Sequence, residues 1–176
     1  MRFATQQLRD PDESSDSSTD DVPQVMVKAA LSFGYQDDHL LFGSSGVDVS
    51  SLHPDPVRMF RLWQCYLECV DPLLKVTHSP TLQSRIVEAA SHVDSIPPAL
   101  EALMFSIYFI TVMTLEPDEC RATFGSSKRD LLASYRFGCQ QALTNAGFLQ
   151  SKDRDCLTAL FLYLVSPPSS TLEHRR

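Results

Sequence analysis

The sequence predicts an all-α fold, an array of about six helices in helix-pair packing. Three observations carry it. Prolines stand just inside helix starts at Asp55-Pro56, Ser79-Pro80, Pro97-Pro98 and Glu116-Pro117, where a missing N–H costs nothing. Apolar residues between them recur at intervals of three and four, the period of one helix face. No run of alternating apolar and polar residues marks a strand. A chain of 176 residues with 43% hydrophobic content is enough for one domain and a modest core.

The first helix starts at Asp55, which can cap it, with Pro56 at the first position. Val57, Phe60, Trp63, Leu67 and Val70 then form its apolar stripe, widened by Tyr66. Pro72 ends or kinks it, because the preceding Asp71 is biased away from helix. The second helix opens on Ser79 as cap and buries Leu82, Ile86, Ala89, Ala90 and Val93. The third runs from Pro97-Pro98 to about Leu115 and is apolar nearly all round, including Leu103, Phe105 and Tyr108. It is therefore the central helix, with neighbours on several sides. Its longest apolar run, Ala102 to Leu115, is 14 residues, short of the roughly 20 a membrane span needs.

A short fourth helix, Pro117 to Phe124, stops at Gly125. The fifth opens on a capping-box-like Ser127-Lys128-Arg129-Asp130, buries Leu131, Leu132, Tyr135, Cys139, Ala142 and Leu143, and ends at Gly147. Gly138 in its interior costs about 1 kcal/mol against Ala, which points to a close helix crossing there. The sixth opens on Ser151 and presents Leu157, Leu160, Phe161 and Leu164. The candidates for core or interaction are Phe60, Trp63, Tyr66, Leu67, Val70, Leu103, Phe105, Tyr108, Tyr135, Leu160 and Phe161.

Charge is unevenly spread. Residues 1–50 hold nine acids and three bases, and residues 51–176 hold thirteen and twelve, of a net charge of -7. Residues 1–24 are expected to be a disordered acidic segment. Asp10 to Asp21 has no apolar residue to bury, and no interleaved aromatics of the kind an acidic activation segment carries. Residues 25–50 read as a linker in which Leu40-Leu41-Phe42-Gly43 can dock as an apolar anchor. Residues 51–166 form the helical region, and 167–176 an irregular tail. The absence of a basic face argues against direct nucleic-acid binding. No apolar h-region opens the chain, and five irregularly spaced cysteines suggest reduced thiols in an intracellular protein.

Two sharper chemistries lack the residues they need. Cys65 and Cys69 stand one helical turn apart with His78 following, a pair that could begin a metal site, but a third and fourth ligand are not evident. A small Cys/His hydrolase using His53, His78 or His92 lacks a nucleophile elbow or oxyanion loop around any cysteine. Turn or capping roles suit His53 and His78, and Trp63 fits core packing better than a ligand platform. No catalytic, cofactor or metal residue is assigned.

From about Leu40 to Val165 the chain resembles the regulatory middle region of fungal zinc-cluster transcription factors of the xylanolytic-activator type. The matching pieces are Leu41-Phe42-Gly43, Leu52-His53-Pro54, Phe60-Arg61-Leu62-Trp63, Tyr66-Leu67, Val70-Asp71-Pro72-Leu73 and His78-Ser79-Pro80-Thr81. They continue with Leu100 to Tyr108, Phe124-Gly125 and Gln141 to Leu149. The resemblance implies an all-helical regulatory domain, without catalytic residues, in a nuclear sequence-specific factor. Such a factor controls RNA polymerase II transcription of carbon-use or secondary-metabolite genes. It implies protein partners: a second copy, a full-length relative or the transcription machinery. The family's zinc and DNA contacts come from a six-cysteine cluster in two Cys-x2-Cys-x6-Cys halves. Here no cysteine precedes Cys65, and the five are spaced 4, 51, 19 and 17 apart. Zinc is thus expected in the family's DNA-binding module and no cofactor in this chain. Ser166–Arg176 departs from the family pattern, so the chain reads as the N-terminal part of that domain: a truncated gene product, a misread intron or a deliberate fragment. The alternative is a standalone helical interaction module that pairs with full-length relatives.

Overall fold

The computed structural model describes residues 46–166. The acidic segment 1–24, the Leu40–Gly43 anchor and the tail 167–176 lie outside the described residues. Seven α-helices follow one another: α1 Pro56–Cys69, α2 Asp71–Leu74, α3 Ser79–Ser91, α4 Pro98–Thr114, α5 Pro117–Phe124, α6 Lys128–Asn145 and α7 Arg154–Val165. Single 3-10 turns precede α1 (Ser50–Leu52) and α4 (Val93–Ser95). No strand occurs among the described residues. The six expected helices are present, and one extra turn, α2, follows the kink at Val70.

The helix starts are local events. The Asp55 carboxylate accepts from the N–H groups of Val57 and Arg58, both at 3.1 Å, and Pro56 stands at the first turn of α1. Ser127 accepts from the N–H of Asp130 at 3.2 Å. Glu116 closes a reciprocal box on α5, its N–H donating to Glu119 at 2.9 Å. Gly125 and Gly147 take φ +68 and +62, the left-handed conformation that ends α5 and follows α6. Two starts are displaced from expectation. The cap residue of α3 is His78, with Ser79 already helical. That of α7 is Asp153, which accepts from the N–H groups of Asp155 (2.8 Å) and Cys156 (3.4 Å). Ser151 instead accepts from the N–H of Asp153. A carboxylate two residues nearer the helix satisfies the free N–H groups in its place.

Helix α4 is the axle. From Leu100 to Val112 every residue but Glu101 is buried, because α6, α7 and α1 pack around it. Gly138 of α6 lies directly on Phe105 of α4: an added Cβ there would sit 2.6 Å from two ring carbons. The close crossing expected at this glycine is present, and its partner is an aromatic ring. Lys128, the first residue of α6, donates to the carbonyl of Met113 at 2.9 Å and to that of Leu115. A cation thus satisfies the orphan carbonyls at the end of α4. Ahead of α1, the Asn145 amide donates to the carbonyl of Val47 at 2.8 Å and accepts from the N–H of Gly46 at 2.9 Å. This clasp seats Val49, which is buried.

The stripe on α1 is corrected. Its buried residues are Met59, Leu62, Trp63, Cys65 and Tyr66, with Val70 at the cap. Val57 is 78% exposed and Phe60 37%. Counting about 100° per residue, Met59, Leu62, Trp63, Tyr66 and Val70 share one arc, Phe60 and Leu67 flank it, and Val57 falls roughly 160° away. Two overlapping apolar arcs are present, and packing against α4 selects the one with the larger side chains. Val93, assigned to the second stripe, falls in the 3-10 turn after α3 and is half-buried.

Candidate functional site

Among the core and interaction candidates, Trp63, Tyr66, Val70, Leu103, Phe105, Tyr108, Tyr135 and Leu160 are buried. Leu67 and Phe161 are half-buried and Phe60 is exposed. The structure gathers some of them into two aromatic groups. Trp63 and Tyr66 stack at 5.4 Å with planes 16° apart. Phe105, Tyr108 and Tyr135 form a chain across α4 and α6, with ring centroids 5.8 and 5.4 Å apart. His53 completes the second group. Its side chain is 1% exposed, its ring lies 4.4 Å from that of Phe105, and its Nε2 is 3.5 Å from the Glu101 carboxylate. A turn role suggested by sequence position gives way to a packed one: His53 plugs the space between the entering chain and α4. His78 takes the cap position of α3, with Nδ1 2.7 Å from the Thr81 hydroxyl.

The thiols have the chemistry of core residues. Burial raises the pKa values of the Cys65, Cys120 and Cys156 thiols, and pushes that of Cys139 from 9.0 to about 12. Cys139 lies 3.0 Å from the Ser106 hydroxyl, and both side chains are enclosed between α4 and α6. No hydrogen bond joins a cysteine to a histidine among the described residues. A thiol activated for attack, or ready to bind metal, needs an electropositive setting that stabilises thiolate. The zinc of the resembled family does not fit these residues. Cys65 is buried and Cys69 exposed, and no group of three or more metal-ligating side chains comes together among the described residues.

Alkaline pH should reveal this burial. The unfolded chain releases the Cys139 proton near pH 9 and the Tyr135 proton near pH 10, whereas the fold holds both to about 12. Below pH 9 both states are protonated and these groups leave stability unchanged. Above it the unfolded state binds fewer protons, so stability falls until about pH 12. The urea midpoint should therefore decline steadily above pH 9, and Cys139→Ala should make that decline shallower. An unchanged slope in the variant would refute the assignment.

Sequence reasoning missed one cleft that only the packed helices form. A cleft of about 270 Å³ opens between α3 and α7. Its inner wall is Val76, Leu82 and Leu103, and its rim carries Thr77, Thr158, Arg85 and Arg154. Arg85 is paired with Asp155 of α7, a hydrogen bond that raises the pKa of its guanidinium and holds it charged. Thr77 donates to Asp71 at 3.1 Å and lies 3.3 Å from the Tyr66 hydroxyl. These residues come from three separate stretches of sequence, so only tertiary structure assembles them. No helix among the described residues is long and apolar enough to cross a membrane.

Among curated proteins, the chain is 54% identical over 153 residues to the transcriptional regulator AacuB of Aspergillus aculeatus, covering 84% of this chain and 21% of that one. It is 42% identical over 118 residues to the aurofusarin cluster transcription factor aurR2 of Gibberella zeae, covering 67% and 18%. It is 32% identical over 158 residues to the C6 finger domain transcription factor adaR of Aspergillus niger, covering 89% and 20%. The chain thus spans about a fifth of the length of the curated relatives it matches. No family model matches it, and no solved structure does.

Proposed function

Because the chain belongs to the fungal C6 zinc-cluster transcription factors, we propose that its helical region works as part of the regulatory domain of such a factor, in the nucleus, controlling transcription of a secondary-metabolite gene cluster. The observation that carries this reading is the 54% identity, along 84% of the chain, to a transcriptional regulator. In this reading DNA is reached through a zinc module outside these 176 residues, and the helices do no chemistry. Thiols held protonated in the core, and an α4 enclosed on every side, suit a scaffold that transmits or restrains. Its partners are proteins: a second copy, a full-length relative or the transcription machinery.

A segment swap tests it. Residues 46–166 replace the matching stretch in the 54%-identical relative, and cluster transcripts are measured in the fungus. Regulation at near-normal level is the expected result. A chimera that accumulates in the nucleus and occupies its promoters, yet has lost regulation, would defeat the reading.

A second reading, an independent interaction module, draws on the exposed apolar side chains of Phe60, Leu73 and Phe137. It would be favoured if overproducing the 176-residue chain silenced the native full-length regulator while the chimera stayed inactive.

A further inference from the structure

The arc of α1 that packing against α4 leaves over has a pattern of its own. Val57, Phe60, Gln64 and Leu67 follow at steps of three, four and three, the spacing of a helix-pair seam. Counting about 100° per residue, they span roughly 80° beside the buried arc. Val57 is 78% exposed, Phe60 37%, and Leu67 is half-buried. Leu73, just past the helix end, is 81% exposed. The two most exposed large apolar side chains among the described residues thus stand at opposite ends of this seam. The charges beside it are ordered as well. Arg61 and Glu68 are exposed and lie about 20° apart on its outer border. Two helical turns separate them, roughly 10 Å along the axis, which is too far for them to pair within one chain. Neither makes an ion pair with a described residue. Arg58 is instead paired with Asp55, and the Glu119 carboxylate of α5 accepts from the N–H of Glu116.

We propose that this face pairs with the same face of a second copy, α1 against α1 and antiparallel. Antiparallel pairing sets Arg61 against the partner's Glu68 and Glu68 against the partner's Arg61, whereas parallel pairing would set like against like. With those two pairs made, the two-fold axis passes beside Gln64. The two Gln64 amides meet there, a polar pair in the seam that fixes register. Val57 then reaches the turn that carries the partner's Leu73, and Phe60 lies over the partner's Leu67. A single helix of 14 residues on each side belongs with the small interfaces, below about 1,200 Å² in total, so the dimer is weak and reversible. The inference does not rest on the transcriptional reading, because its measurement is self-association of the chain itself.

The test is sedimentation equilibrium of the full 176-residue chain from about 5 to 500 µM, the range in which weak interfaces form. A reducing buffer is used because Cys69 is exposed. The expected result is a reversible monomer–dimer equilibrium. Arg61→Glu and Glu68→Arg should each weaken it at least about tenfold, since each turns both symmetric pairs into like charges. Mixed in equal amounts, the two variants should associate as tightly as the native chain, because every pair across the seam is then opposite in sign. The double variant should regain self-association for the same reason. Phe137→Ser, on α6, should leave the equilibrium unchanged. A native chain that stays monomeric throughout, a dimer indifferent to both reversals, folded single variants that do not recover on mixing, or a dimer lost with Phe137→Ser would each overturn the proposal. The first of these outcomes needs no variant, and both reversed side chains are exposed, so a folding defect cannot leave the question open.

Discussion

Trp63→Ala should cost about 3–5 kcal/mol of stability, the range for emptying a buried large aromatic site. Trp63 is 4% exposed and stacks on Tyr66, and it lies on the side of α1 that faces α4. Alanine would leave a void along this seam, and the neighbouring Tyr66, also fully buried, has little room to collapse into it. Trp63→Phe should behave differently. The indole N–H is buried and has no hydrogen-bond partner among the described residues, a state that costs about 1–3 kcal/mol. Phenylalanine loses contact area but removes that burden. Its net cost should be about 1 kcal/mol or less. Urea unfolding followed by far-ultraviolet circular dichroism measures both. If the phenylalanine variant were as unstable as the alanine one, the N–H would be satisfied in solution and the packing account incomplete.

Gly138→Ala is expected to destabilise the fold by about 2 kcal/mol, although alanine normally improves a helix interior by about 1 kcal/mol. The added methyl would lie 2.6 Å from Cδ1 and Cε1 of Phe105. That ring cannot easily withdraw: His53 lies 4.4 Å away on one side and Tyr108 5.8 Å on another. Overpacking a filled core costs typically 1–3 kcal/mol, and the upper end applies where the obstacle is a locked ring. A double-mutant cycle with Phe105→Leu isolates the clash. The pair should be at least about 1 kcal/mol more stable than the sum of the two single losses. A neutral or stabilising Gly138→Ala would show that α4 and α6 separate at no cost, contrary to the tight crossing described.

The contrast between these residues shows what the sequence could and could not carry. Gly138 marked a close approach because glycine inside a helix has a local cost that needs a reason. Its partner was not legible, since Phe105 reaches it only after α4 and α6 cross. Asp55, Ser127, Gly125 and Gly147 were legible because capping is settled within four residues. Ser79 and Ser151 were misplaced as caps because His78 and Asp153 also qualify by position, and backbone geometry decided between them. On α1 the residue pattern allowed two phases, and Val57, Phe60 and Leu67 belonged to the losing one. The α3–α7 cleft left no trace at all. Val76, Leu103 and Arg154 are unremarkable where they stand in the chain, and the Arg85–Asp155 pair joins positions 70 residues apart.

The Asn145 clasp on Gly46 and Val47 has a kinetic meaning. It joins residues 98 and 99 apart in sequence through exposed hydrogen bonds, whereas α4, α6 and α7 are close successors along the chain. Contacts between distant positions form late, because a long loop must close first. Segments held by few exposed bonds also open first, in partial excursions that leave the rest of the fold intact. Residues 46–53 are therefore expected to dock last among the described residues and to lift first, a difference that amide hydrogen exchange would read. When they lift they take Val49 and His53 with them and briefly uncover the ring of Phe105. The axle helix is then exposed at one point without any loss of its hold on α6 and α7.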